Sequence, residues 1–165
     1  MNPSPPTRKF KRPESVLVVV YTGTGKVLLL KRVGEGDLWQ SVTGSLKWEE
    51  TEPRQAAARE LREETGLDAD GLRDAGLTNR YSILPQWRHR YAPEVKENTE
   101  YVYFLALPAE KVITLNFAEH TEYGWYSFDD AASKVFSWTN REAILKAKNS
   151  YSTSPAQAGE GKGRG

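Results

Sequence analysis

The chain has 165 residues, no cysteine and a formal charge of +1 at pH 7. Disulfides, zinc–thiolate sites and cysteine nucleophiles are thereby excluded together, and bulk electrostatics give no reason to expect a nucleic-acid partner. With 38% hydrophobic residues, no apolar run long enough to span a bilayer, and no hydrophobic signal core between Met1 and Pro13, one globular, non-membrane, cytoplasmic domain is expected.

Residues 1–7 are polar and proline-rich, and read as a loose arm before a domain over 8–148. Arg8-Lys-Phe-Lys-Arg-Pro13 has two readings. It is a solvated basic lead-in, or Lys11 or Arg12 reaches a phosphate as a charge-assisted donor. Ser15 to Tyr21 is a β-branched apolar run and predicts a buried strand. Thr22 to Gly25 turns the chain, and Lys26 to Arg32 predicts its hairpin partner. Arg32 is a strand-end surface charge or a phosphate clamp, and its fork geometry suits the second use. Leu38 to Ser45 predicts a short strand entering a loop, and a helix follows from Pro53. Tyr81-Ser82-Ile83-Leu84 reads as a hairpin edge before Pro85.

Arg88-His89-Arg90 alternates as a strand would. His89 gets no catalytic role, because a carboxylate-held metal site needs no histidine; Arg88 and Arg90 are expected to balance the charge of an acidic site. Glu100 to Leu107 and Tyr123 to Phe128 predict two further strands, and Asp129–Val135 and Asn140–Lys148 predict helices, the second capped by Asn140. Residues 149–165 are rich in Ser, Gly, Ala and Pro and are expected to be a disordered tail. The 5 Trp and 8 Tyr offer surfaces for a planar ring, but most must serve the core of a small domain.

The segment Gly44 to Leu67 organises the rest. Pro53 suits a first helical turn, alanines and straight-chain residues follow, and Gly66 stands where a left-handed residue ends a helix. Glu60, Glu63 and Glu64 then project within an arc of roughly 100°, while Ala58, Leu61 and Thr65 face the other way. Like charges at this spacing repel. A solvated acidic face is one outcome. With Gly44 and a short polar loop ahead of the helix, a hard-cation site is the other. Oxygen-only ligands select Mg²⁺, Mn²⁺ or Ca²⁺, and Mg²⁺ shares its shell readily with phosphates. Such a cluster points to metal-bridged phosphate chemistry.

Arg59-Glu-Leu-Arg-Glu-Glu-Thr-Gly-Leu67 resembles the second half of the Nudix box at every specified position. The first half departs, with eight residues between Glu50 and Arg59 where the family has seven. The extra residue is expected in the loop before the helix, and Glu50 is given no role. Thr43-Gly44-Ser45 stands where most members have Pro-Gly-Gly. That feature resembles the branch of the family that cleaves dihydroneopterin triphosphate. So do Arg88 to Pro93, Asn98-Thr-Glu100, Phe104 to Pro108, Glu119-His120 and Ser137 to Arg141.

The resemblance implies an α/β fold, a Nudix-type α-β-α sandwich with a mixed β-sheet. It implies Mg²⁺, with Mn²⁺ as a substitute, held by Glu60, Glu64 and Glu119. It leaves Glu63 or Glu119 as the general base, and expects Arg59 to pair with Glu63. Lys11, Arg32, Thr43, Tyr81, Ser82, Ile83, Leu84 and Ser137 are the implied substrate contacts. The expected partner is a small-molecule triphosphate, with no nucleic acid and no membrane, and the expected assembly is a monomer or weak homo-oligomer. Three other readings share these residues. One is a nucleoside triphosphate pyrophosphohydrolase acting on dATP or oxidised nucleotides. Another is a Nudix-fold binding module without catalysis, against which all three helix glutamates stand. RNA 5′-end processing is disfavoured, since no extended basic and aromatic surface is evident.

Overall fold

Strand β1 (Glu14–Thr22) is buried from Ser15 to its end. A continuous apolar run without alternation implies cover on both faces. A computed structural model, which describes residues 10–34 and 36–153, shows that cover. Val16, Val18 and Val20 pack on one side with Ala56, Ala57 and Leu61 of helix α1 (Pro53–Thr65). Leu17, Val19 and Tyr21 pack on the other with helix α2 (Phe128–Lys134) and helix α3 (Trp138–Ser152), through Phe128, Ala131, Ala143 and Ile144. The fold is therefore an α-β-α sandwich.

β1 is central in a seven-stranded mixed sheet. The remaining strands are β2 (Lys26–Arg32), β3 (Trp39–Gln40), β4 (Val42–Ser45), β5 (Arg73–Ser82), β6 (Glu97–Leu107) and β7 (His120–Ser127). β6 runs parallel to β1 along its whole length, from Glu14↔Thr99 to Thr22↔Leu107. On its other edge β1 meets β2 at the hairpin, Tyr21↔Val27, and β4 at its start, Ser15↔Ser45 to Val18↔Val42. β2 in turn pairs with β3 and β7, and β5 closes the far side on β6. Placing β4 beside the start of β1 brings Thr43 and Gly44 directly against α1. No described helix is long and apolar enough to cross a membrane.

Several expected elements change. Pro85–Arg90 is a 3₁₀ helix rather than a strand. Pro85 has no N–H for a ladder and a φ already suited to a helical turn. β5 starts at Arg73, and its alternation of exposed with buried or half-buried residues shows that only one of its faces is covered. Ser137, not Asn140, caps α3, accepting from Asn140 N–H at 3.3 Å. Asn140 is 1% exposed. It clasps Ser41, accepting from its N–H and donating to its hydroxyl, both at 2.9 Å. α3 also continues to Ser152, into the expected tail. The arm over 1–7 and the tail beyond 153 lie outside the described residues.

α1 starts and stops as its sequence predicts. Gln55 Oε1 accepts from the N–H groups of Thr51 and Glu52, ahead of Pro53. Gly66 ends the helix at φ 76°, its N–H bonded to Arg62 O at 2.9 Å. A Cβ at Gly66 would also meet Thr114 Cβ at 3.2 Å. Gly66→Ala is expected to lower stability by about 1–2 kcal/mol, read as a reduced urea midpoint at unchanged slope.

Candidate active site

Three glutamates leave α1 on one side, and the fold treats each differently. Glu64 is 1% exposed, wedged between helix and sheet. Its Oε2 has no hydrogen-bond partner among the described residues. Burial, then the charges of Glu60 and Glu119, push its pKa up to about 10. Glu60 is partly buried and its pKa is also raised by burial. Glu63 is half exposed at the rim. An acidic face that was merely solvated would not sink its most central carboxyl into the core.

Room for Glu60 comes from Gly44. A Cβ there would lie 2.2 Å from Glu60 Cδ and 2.3 Å from Oε1. The glycine serves here by lacking a side chain, and β4 and α1 close on the carboxylate through that gap.

Arg59 holds the cluster from outside. Its Nε and Nη2 donate to the two oxygens of Glu50 at 3.0 and 2.9 Å, and Nη2 also reaches Ser45 O at 3.0 Å. Nη1 donates to Glu60 Oε1 at 2.7 Å and more weakly to Glu63 Oε2 at 3.3 Å. Glu63 is thus a lesser partner than expected, and Glu50 is the bidentate one. The loop over 46–52 delivers Glu50 to Arg59. Arg12 pins it, donating to Lys47 O at 2.9 Å and Glu50 O at 2.8 Å. Arg12 is thereby committed to structure, which leaves Lys11 as the phosphate candidate.

Glu119 arrives from a turn after the long loop over 108–119, and its neighbour His120 begins β7. Ligand atoms of Glu64, Glu119 and His120 all lie within 4.8 Å of one another. His120 was not assigned from sequence. It is 2% exposed, with Nε2 3.5 Å from Glu64 Oε1. Burial and the charge of Arg32 lower its pKa to about 4, so it is neutral near pH 7 and does not neutralise Glu64. A buried oxygen without a partner, facing two further carboxylates, fits a divalent cation. The carboxylates suit a hard cation, and the His120 imidazole in the same cluster adds a borderline donor.

On the other side of Gly44 opens a cavity of about 550 Å³. Lys11, Arg32 and Thr43 line it near the carboxylates, and Tyr81, Ser82, Ile83, Leu84 and Ser137 line it further in. All eight expected contacts therefore surround one space. Backbone pairing of Lys11 N–H with Arg90 O, at 2.8 Å, draws the N-terminal segment over the 3₁₀ helix. The pKa of Lys11 is lowered by burial first, then by Arg90 and Arg32. Mutually repelling cations at one mouth make a site for a polyanion.

Gly44→Ala is expected to displace Glu60 and weaken Mn²⁺ affinity by about 10–100-fold, measured by titration, with the far-ultraviolet spectrum unchanged. A pH dependence also follows. Between its ordinary value of 4.5 and about 10, Glu64 in the metal-free fold keeps a proton that the unfolded chain has released. The folded state then binds more protons, so stability falls as pH rises, by up to about 1.4 kcal/mol per pH unit. His120 acts oppositely, but only below its ordinary value of 6.5. The Tm in EDTA is therefore expected to fall from pH 7 to pH 9, and millimolar Mg²⁺ to flatten that fall.

The sequence model of the NUDIX domain matches residues 11–147. Dihydroneopterin triphosphate diphosphatase of Escherichia coli is 46% identical over 140 residues, covering 82% of this chain and 91% of that protein. The enzyme of the same name from Haemophilus influenzae is 37% identical over 143 residues, covering 84% and 89%. The solved structure of the E. coli dihydroneopterin triphosphate pyrophosphohydrolase superposes with a TM-score of 0.74 at 45% identity, covering 82% of this chain and 94% of that one. Glutamate cluster, sandwich and matched length agree: this chain belongs to the NUDIX family of hydrolases.

Proposed function

We propose that this enzyme hydrolyses dihydroneopterin triphosphate to dihydroneopterin monophosphate and pyrophosphate, with Mg²⁺ as its working ion and folate synthesis as its setting. The observation that carries this is the junction at Gly44, where a buried carboxylate cluster meets a cation-lined cavity. The relatives' names supply the organic half of the substrate.

Glu60, Glu64 and Glu119 would hold the ion. When bound, a divalent cation polarises a phosphoryl oxygen and makes water more acidic. Lys11 and Arg32 neutralise the phosphate chain and hold it in line with the carboxylates. Thr43 is positioned by its own hydroxyl, which donates to Val16 O at 2.9 Å. Ser137 caps α3 at the cavity wall. Glu63, left at the rim with only a long bond to Arg59, is the carboxylate available to accept the attacking water's proton.

The test is a panel of triphosphates with product analysis. Dihydroneopterin triphosphate is expected to give pyrophosphate, with a higher kcat/KM than dATP or oxidised purine nucleotides. Orthophosphate as the product, or a clear preference for dATP, would overturn the reading. Lys11→Ala is expected to raise KM about tenfold with little change in kcat, since it binds phosphate before and during reaction alike.

A further inference from the structure

Lys11 precedes the first strand and belongs to no helix or strand of its own, yet a cation that meets phosphate needs a fixed backbone. Its anchorage comes from two separate elements. The peptide unit joining Phe10 to Lys11 is flat, with its carbonyl and its N–H on opposite edges. The N–H donates to Arg90 O in the 3₁₀ helix at 2.8 Å. The carbonyl accepts from Trp48 Nε1, in the loop over 46–52, also at 2.8 Å. One rigid unit is thus held at both edges, and turning it would break both bonds. The next residues are held as well. Arg12 Nη1 donates to Lys47 O at 2.9 Å and Glu50 O at 2.8 Å, its Nε donates to Glu14 Oε1 at 2.8 Å, and Pro13 O accepts from Thr99 N–H at 3.1 Å. Between these anchors the Lys11 side chain enters the cavity, its amine 5.9 Å from the centre of the Tyr91 ring.

Core packing does not account for Trp48. It is 37% exposed and takes part in neither apolar layer of the sandwich among the described residues. An indole has one donor and no acceptor, and here that donor is given to Phe10. The loop that carries it also brings Glu50 to Arg59, which in turn donates to Glu60. We propose that Trp48 is a positioning residue for phosphate binding: by holding the Phe10 carbonyl, its indole N–H fixes the direction in which Lys11 leaves the backbone. One loop then arranges both the carboxylates that would hold the ion and the cation that meets the phosphate chain. The proposal rests on the assignment of Lys11 to that chain.

The test is a double-mutant cycle on Trp48→Phe and Lys11→Ala, read as KM, kcat and the Kd of inorganic pyrophosphate in Mg²⁺. Trp48→Phe keeps an aromatic ring and removes the donor. It is expected to raise KM and the pyrophosphate Kd about fivefold, with kcat and Mn²⁺ affinity little changed. The double variant is expected to match Lys11→Ala, because Trp48 acts only through that lysine. Trp48→Gln and Trp48→Met are alike in length and differ in the amide donor, which lies as many bonds from Cβ as the indole N–H does. The first is expected to stay near wild type and the second to behave as Trp48→Phe, a comparison that decides the matter even if Trp48→Phe fails to fold. A tryptophan that merely braced its loop would, when replaced by Phe, loosen Glu50 from Arg59. It would lower kcat, Mn²⁺ affinity and Tm, and its effect would add to that of Lys11→Ala. That pattern, or an unchanged KM and pyrophosphate Kd in both Trp48→Phe and Trp48→Met, would overturn the proposal. So would an unchanged pyrophosphate Kd in Lys11→Ala, which removes the lysine from the phosphate site. Pyrophosphate binding can be read whichever triphosphate the enzyme prefers, so loss of the proposed substrate would leave this inference standing.

Discussion

Everything at this site follows from a carboxyl group that the fold refuses to solvate. Glu64 sits between α1 and the sheet with one oxygen unpartnered and two more carboxylates close by. Without a cation the arrangement is a cost, because burial and like charge both disfavour ionisation. With one, the same burial strengthens every attraction in the cluster. The domain therefore carries local instability where its chemistry lies, and the two apolar layers around β1 offset it.

Arg59 shows how the cost is contained. One guanidinium satisfies Glu50, Glu60 and a backbone carbonyl of the motif loop, with Glu63 at longer range. Its planar fork carries five N–H donors in fixed directions, where a lysine carries three on one atom. The motif loop is tied to Arg59 at Glu50 and to Arg12 through its carbonyls.

The cavity is organised along its length by charge. Cations crowd its mouth beside the carboxylates, and acceptors line its floor. A ligand that is anionic at one end and rich in N–H donors at the other matches that polarity in one orientation only. Binding in the reverse sense would set phosphate against Glu100.

Local chemistry was legible from the chain itself. Proline at the start of α1, glycine at its end and the spacing of three glutamates are consequences of helix geometry, and any reader of the sequence can derive them. The unbroken apolar run of β1 likewise announced cover on both faces. What no local pattern could decide was which distant groups meet. Glu50 reaching Arg59, His120 beside Glu64, Gly44 making space for Glu60, and Asn140 clasping Ser41 instead of capping its helix all join residues from separate elements. Even the grading of the glutamates, from buried Glu64 to half-exposed Glu63, was set by the sheet laid against them. Periodicity determines the direction a side chain leaves its own backbone, and only packing determines what waits there.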